Sequence, residues 1–120
     1  MELQADGEAA APLLELLSRQ PLAPPSLSEA IRQTGASPEV VRALAQRGDI
    51  VRVADDVAFT KDAYEMAVAM VREMIKDGGT ITVAQLRDRM GASRRPVLAL
   101  LEHLDSERVT RRVGDSRVLR

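Results

Sequence analysis

The chain has 120 residues, 45% apolar and 29% charged, with a net charge of −1, a balance that suits one ordinary water-exposed domain or two small ones. With no cysteine and a single histidine, His103, it excludes disulfide frameworks, thiolate zinc sites and cysteine nucleophiles, and leaves little room for a metal site or a catalytic triad. Phe59 and Tyr64 are the only aromatic residues, which argues against base stacking on aromatic platforms.

In chain order, residues 1–8 are expected to fray and residues 9–18 to form a short helix. Residues 20–25 are a Pro-rich connection. Ser26 or Ser28 caps a second helix ending at Thr34. Ser37-Pro38 opens a third, with Ser at the cap and Pro at its first position, and Gly48 closes it. Residues 49–53 and 57–59 are expected as strands around Asp55-Asp56. Residues 61–76 then place Ala63, Met66, Ala67, Met70, Val71, Met74 and Ile75 on one helical stripe, read as core. Asp77-Gly78-Gly79 stops that helix. Residues 80–82 are a short extended piece. Thr82, with Gln85 at capping-box spacing, starts a helix over residues 83–90. Ser93 caps the next helix, with Pro96 in its first turn and Val97, Leu100, Leu101 and Leu104 as its apolar face. Residues 109–113 and 117–119 form a hairpin through Gly114-Asp115, where Gly at the first central position suits a type II′ turn.

The chain repeats itself. Gly35-Ala36-Ser37 recurs as Gly91-Ala92-Ser93, and at the same offset of 56 residues Leu27 meets Val83, Ala30 meets Leu86, Val41 meets Val97, Leu44 meets Leu100 and Asp49 meets Asp105. The apolar register on both sides of the tripeptide marks a duplicated module. Each copy is near the lower size limit for independent folding, so the two are expected to lean on each other through a shared helix. The expected fold is mainly α with short β-hairpins: tandem winged-helix modules, residues 1–60 and 61–120.

Charge separates the two copies. Residues 1–84 carry 8 basic and 13 acidic side chains, whereas residues 85–120 carry 9 arginines against 5 acids. In a helix-turn-helix the third helix offers its first turn to nucleic acid. That turn reads Ser37-Pro38-Glu39 in the first copy and Ser93-Arg94-Arg95 in the second. A helix N-terminus already attracts anions, so Arg94 and Arg95 build a phosphate or base-edge site while Glu39 repels one. The wings diverge likewise, Asp55-Asp56 against Arg111, Arg112 and Arg117. Side chains alternate along a strand, so Arg111 and Arg112 are not expected to serve one surface together. One grips phosphate; the other packs its stem or meets an acid such as Asp115 or Glu107. The first module is then a spacer or packing partner and the second the binder. His103 is expected as a surface residue.

Residues 79–88 lead into Gly91-Ala92-Ser93-Arg94-Arg95 and on through residues 99–105 to Val109-Thr110-Arg111-Arg112-Val113-Gly114-Asp115 and Leu119. This run resembles the C-terminal end of the bacterial selenocysteine-specific elongation factors, SelB. The likeness is detailed over roughly the last 45 residues; the first 60 match only as a preceding winged-helix module. Pro96 departs from the ordinary helix residue expected after Arg95. The family's full-length protein is a GTP-binding, tRNA-delivering factor that ends in four winged-helix modules, the last of which binds an mRNA hairpin beside an in-frame UGA. The resemblance implies that Ser93, Arg94 and Arg95 meet the RNA loop. It also puts Arg111, Arg112 and Arg117 in the wing and Gln85 and Arg87 on the neighbouring helix. It further implies an mRNA stem-loop as partner, alongside the ribosome and the rest of the factor. With no phosphate loop here, the chain is expected to be no enzyme. A monomer in the cytoplasm is expected, without cofactor, metal or membrane contact, since no apolar run nears the ~20 residues of a membrane span and no signal peptide opens it. The alternatives are a winged-helix DNA-binding transcription regulator and a protein-interaction module.

Overall fold

The computed structural model describes residues 2–120, with side chains from Ala10 onward. In the first half, α1 (Glu2–Ser18), α2 (Leu27–Thr34) and α3 (Pro38–Arg47) precede a hairpin of β1 (Ile50–Ala54) and β2 (Val57–Thr60). The first helix begins at Glu2, not at residue 9, and carries Pro12 inside it. Its opening stretch is rich in Ala and Glu, strong helix formers that extend the helix past the expected start. Met1, expected to fray, lies outside the described residues. Ser26, not Ser28, caps α2 by accepting from the Glu29 N–H at 3.1 Å. Ser37 caps α3 in the same way, accepting from the Val40 N–H.

The second half runs α4 (Lys61–Gly78), β3 (Ile81–Thr82), α5 (Val83–Met90), α6 (Arg94–Ser106), β4 (Thr110–Val113) and β5 (Ser116–Leu119). Thr60 ends β2 and also caps α4, accepting from the Ala63 N–H. On α4 the buried line is Ala63, Ala67, Val71 and Ile75. Met70 and Met74 are only partly buried, and Met66 is 51% exposed. The methionines therefore sit beside the core, because small and β-branched residues fill the closest face. Thr82 and Gln85 form the full reciprocal capping box. The three strands order as β3-β5-β4, all antiparallel, with Arg112 opposite Arg117 and Val113 opposite Ser116. Gly114 turns between them at φ +61°, a value open to glycine without strain. This helix, helix, helix and wing arrangement is the winged-helix fold.

Two cores hold the chain. The first gathers Leu13 and Leu17 of α1, Leu27 and Ala30 of α2, and Val40, Val41 and Leu44 of α3, with Ile50 and Ala58 of the hairpin. The second gathers α4, α5 and α6 around Leu86, Val97, Leu100 and Leu104, and it also takes in Val53, Val57 and Phe59. The β1–β2 hairpin is thus buried on both faces, one toward each core. It was expected as the wing of a packing module. The apolar run Val57-Ala58-Phe59, with no polar alternation, is what a strand covered on two sides needs. The halves lean on each other through this hairpin, which packs on α6, as well as through α4. The result is an elongated body of 50 × 23 × 20 Å. Truncating Phe59, fully buried in the joint, would cost about 3–5 kcal/mol.

Candidate nucleic-acid interface

The first turn of α6 differs from that of its fellows. Ser26, Ser37, Thr60 and Thr82 each accept a hydrogen bond from the N–H three residues on. Ser93 occupies the same capping position but makes no side-chain cap bond. The third residue on is Pro96, which has no N–H to give. The expected Ser93 cap is therefore absent for a covalent reason, and its hydroxyl stays exposed. Arg94 and Arg95 follow it, both exposed. No acid occupies this first turn, so the unpaired N–H groups and the arginines add to one positive end. Among the described residues Arg94 has no ion-pair partner, whereas the Arg95 Nη2 lies 3.9 Å from Asp56 Oδ2 of the first half.

A groove of about 210 Å³ runs between the start of α5, the first turns of α6 and the wing. Arg94, Leu98, Arg112, Asp115 and Arg117 line it, with Thr82, Val83 and Ala84. It brings Arg94 and Arg112 to one place. Arg111, one residue along the strand, is exposed and does not line it. Of the two wing arginines, Arg112 is the one that shares a surface with Arg94. Its Nε donates to the Gly114 carbonyl at 2.9 Å, folding the side chain over the turn. Neither Arg111 nor Arg112 pairs with Asp115 or Glu107 among the described residues.

Arg117 departs furthest from expectation. It is 2% exposed, and its Nε and Nη2 donate to Asp105 Oδ2 at 3.3 and 3.0 Å. Thr110 donates its hydroxyl to the other oxygen, Asp105 Oδ1, at 2.7 Å. The Arg117 charge is consumed inside the fold, where a carboxylate with all its neighbours as donors compensates it. It ties the wing to the last turns of α6 and is not available as a free surface cation. Asp105 was expected as the repeat of Asp49 and as an acid without a partner for acid–base chemistry; the Asp-Thr-Arg spacing across the hairpin was the signal missed.

The two residues expected on the neighbouring helix stand apart. Gln85 spends its side-chain oxygen on the Thr82 N–H at 2.9 Å and borders a different cleft, with Asp88 and Arg89. Arg87 lies 3.9 Å from Asp88. His103 is half-buried and meets the Tyr64 ring edge-on at 5.7 Å, so it packs instead of standing free. Among the described residues no group of three or more His, Asp or Glu could hold a metal, and no helix is long and apolar enough to cross a membrane.

Residues 65–119 match the family described as the winged helix of elongation factor SelB. The chain is 32% identical over 76 residues to the selenocysteine-specific elongation factor of Escherichia coli K12 and 27% identical over 77 residues to that of Desulfomicrobium baculatum. These stretches cover 63% and 64% of this chain but 12% of either relative. Among solved structures, the mRNA-binding domain of Escherichia coli SelB in complex with SECIS RNA aligns over 99% of this chain and 97% of that one, with a TM-score of 0.80 and 28% identity. A crystal structure of the bacterial selenocysteine-specific elongation factor EF-Sec aligns over all of this chain and 20% of its own, with a TM-score of 0.74 and 20% identity; it speaks for the fold alone. The chain resembles the C-terminal winged-helix region of SelB.

Proposed function

We propose that this chain is the mRNA-reading end of a selenocysteine-specific elongation factor, and that it recognises the selenocysteine-insertion stem-loop beside a UGA codon. The observation that carries the reading is the alignment over nearly the whole of both chains with a SelB domain held on its SECIS RNA. The division into tandem winged-helix modules at residues 1–60 and 61–120, acidic brace and basic reader, belongs to the same reading, and the repeated element order supports it. The chain acts as a monomer in the cytoplasm, docked through the remainder of the factor to the ribosome. It hydrolyses no GTP itself.

The chemistry follows from the shape of RNA. An A-form stem has a major groove too deep and narrow for a helix, so sequence is read from exposed loop bases and strand ends. The first turn of α6 offers free N–H groups, the Ser93 hydroxyl and two guanidinium forks. Arg94 makes the base-edge contact, a bidentate pair to guanine worth about 1–3 kcal/mol. Arg112 takes a flanking phosphate at the mouth of the same groove, and Arg111 a phosphate on the outer wing face. Arg117 holds the wing in place for both.

The test is a fluorescence-anisotropy titration with a stem-loop from beside a UGA selenocysteine codon of the source organism. A loop-scrambled hairpin and a DNA duplex serve as controls, at two salt concentrations. Tight binding to the native loop alone, weakening with salt, is expected. Equal weak binding to all three would overturn the reading, and preference for the duplex would replace it with a DNA-binding regulator.

A further inference from the structure

The seam between the halves puts an acid against one of the two arginines of the reading turn. Asp56 sits at the tip of the β1–β2 hairpin and is held from several sides. The Ser28 N–H and hydroxyl donate to its Oδ1 at 2.8 and 2.7 Å. The Leu27 N–H donates to its backbone carbonyl at 2.8 Å. That leaves Oδ2, which points at Arg95 Nη2. Hydrogen bonds from Ser28, aided by the charges of Arg95 and Arg52, keep this carboxyl below the ordinary range, so the charge is present at neutral pH. Arg95 itself remains 72% exposed. Three seam grooves meet at its side chain, bordered by Arg42 and Arg52 on one side, Glu102 on the second and Ser93 on the third.

We propose that Asp56 is a specificity-determining residue, a fixed counter-charge that damps Arg95 as a point charge while leaving its outer edge free for a directed acceptor. The inference rests on the RNA-reading role proposed above. A guanidinium has five N–H donors in a planar fork, and Asp56 faces only one end of it. A base edge that engages the opposite side keeps the Asp56 contact and gains from an arginine already oriented. A phosphate that binds by charge alone meets a cation already partly compensated and releases fewer counterions. The acid therefore weakens loose backbone binding more than loop reading, the pattern by which a repulsive element sharpens a choice. The acidic first module then contributes to recognition without touching a base.

The experiment measures affinity for the native stem-loop and for the loop-scrambled hairpin, at two salt concentrations, with the 120-residue chain and its D56N variant. Asn keeps the Oδ1 acceptor for Ser28 and puts an uncharged NH2 group where Oδ2 faces Arg95. The ratio of native to scrambled affinity is expected to fall about two- to fivefold, the scale of a surface ion pair, with a steeper salt dependence for the scrambled hairpin. In the R95A background D56N is expected to leave the ratio unchanged. An unchanged or larger ratio for D56N alone, or the same fall without Arg95, would overturn the inference. The variant S28A, which loosens Asp56 without altering any charge, is expected to shift the ratio the same way by less; no shift there, with D56N unfolded, would overturn it too. Failure of the RNA-reading role itself looks different: the unmodified chain would then bind both hairpins alike.

Discussion

In the first half, the hairpin after the third helix is sealed between two cores, with Ile50 and Ala58 facing one and Val53, Val57 and Phe59 the other. In the second half, the corresponding hairpin leaves Arg111, Arg112 and Val113 exposed, and a polar cluster, Asp105 with Thr110 and Arg117, ties it to α6. The third helices differ to match. Ser37 closes the start of α3 with its cap, and Glu39 adds an acid there. Ser93 leaves α6 uncapped because Pro96 has no N–H to offer, and two arginines follow. Even the helix ends differ: Gly48 takes the left-handed turn after α3, while Arg108 takes it after α6 at φ +63°. That conformation costs roughly 1–2 kcal/mol for a residue with a Cβ. The same sequence of elements is thus sealed by apolar packing in one half and leaves a basic helix start and wing facing out in the other.

The polar clamp is where the comparison is most easily broken. Asp105→Ala strands the Arg117 charge in the interior and is expected to cost about 3–5 kcal/mol in urea unfolding at pH 7. The matching change in the first half, Asp49→Ala, removes an exposed pair with Arg47 and is expected to cost less than about 1 kcal/mol. Similar losses would mean that the two hairpins are held alike. Next in size is recognition: Arg94→Ala is expected to weaken native-hairpin binding by about 1–3 kcal/mol. Glu39→Ala, at the start of the other third helix, is expected to leave it within about twofold, since separated surface charges are screened. Smaller again is capping. Ser37→Ala is expected to lower stability by about 1 kcal/mol, and Ser93→Ala by well under half of that, because no cap bond is lost. Thermal unfolding of the pair reads the difference directly.

The smallest effect is with pH. Hydrogen bonds from Ser28 hold the Asp56 carboxyl below its ordinary value. A depressed folded-state value adds stability that is complete above the unfolded value, near 4, and is lost as pH falls through the folded one. Stability of the unmodified chain is therefore expected to decline more steeply below about pH 4 than that of D56N. Parallel acid limbs would show that Asp56 carries no such link.

Much of this asymmetry was legible in the sequence. The 56-residue offset, the Ser-Pro-Glu against Ser-Arg-Arg turns and the Thr82–Gln85 box are local patterns, and the elements they imply formed within a few residues of expectation. What escaped was long-range. A count of arginines cannot tell Arg117, buried against an acid twelve positions away, from Arg112 at the mouth of the groove. Nor does Ser28 announce that it leaves the cap to Ser26 and holds Asp56 instead. The freed Ser93 hydroxyl was within reach: Pro96 three residues on is a local fact, and its missing N–H decides the cap. The methionine stripe misled because helical period alone does not say which of two adjacent lines lies closest to the core.

The proposed RNA binding is confined to the uncapped, arginine-bearing half. The most direct test maps backbone amide chemical shifts of the 120-residue chain during titration with the native stem-loop. Changes are expected at the amides of residues 93–95, 97 and 98 and along residues 111–115, with the α3 start at residues 37 and 39–41 unmoved. Changes of equal size at the α3 start, or none at the α6 start, would contradict the account.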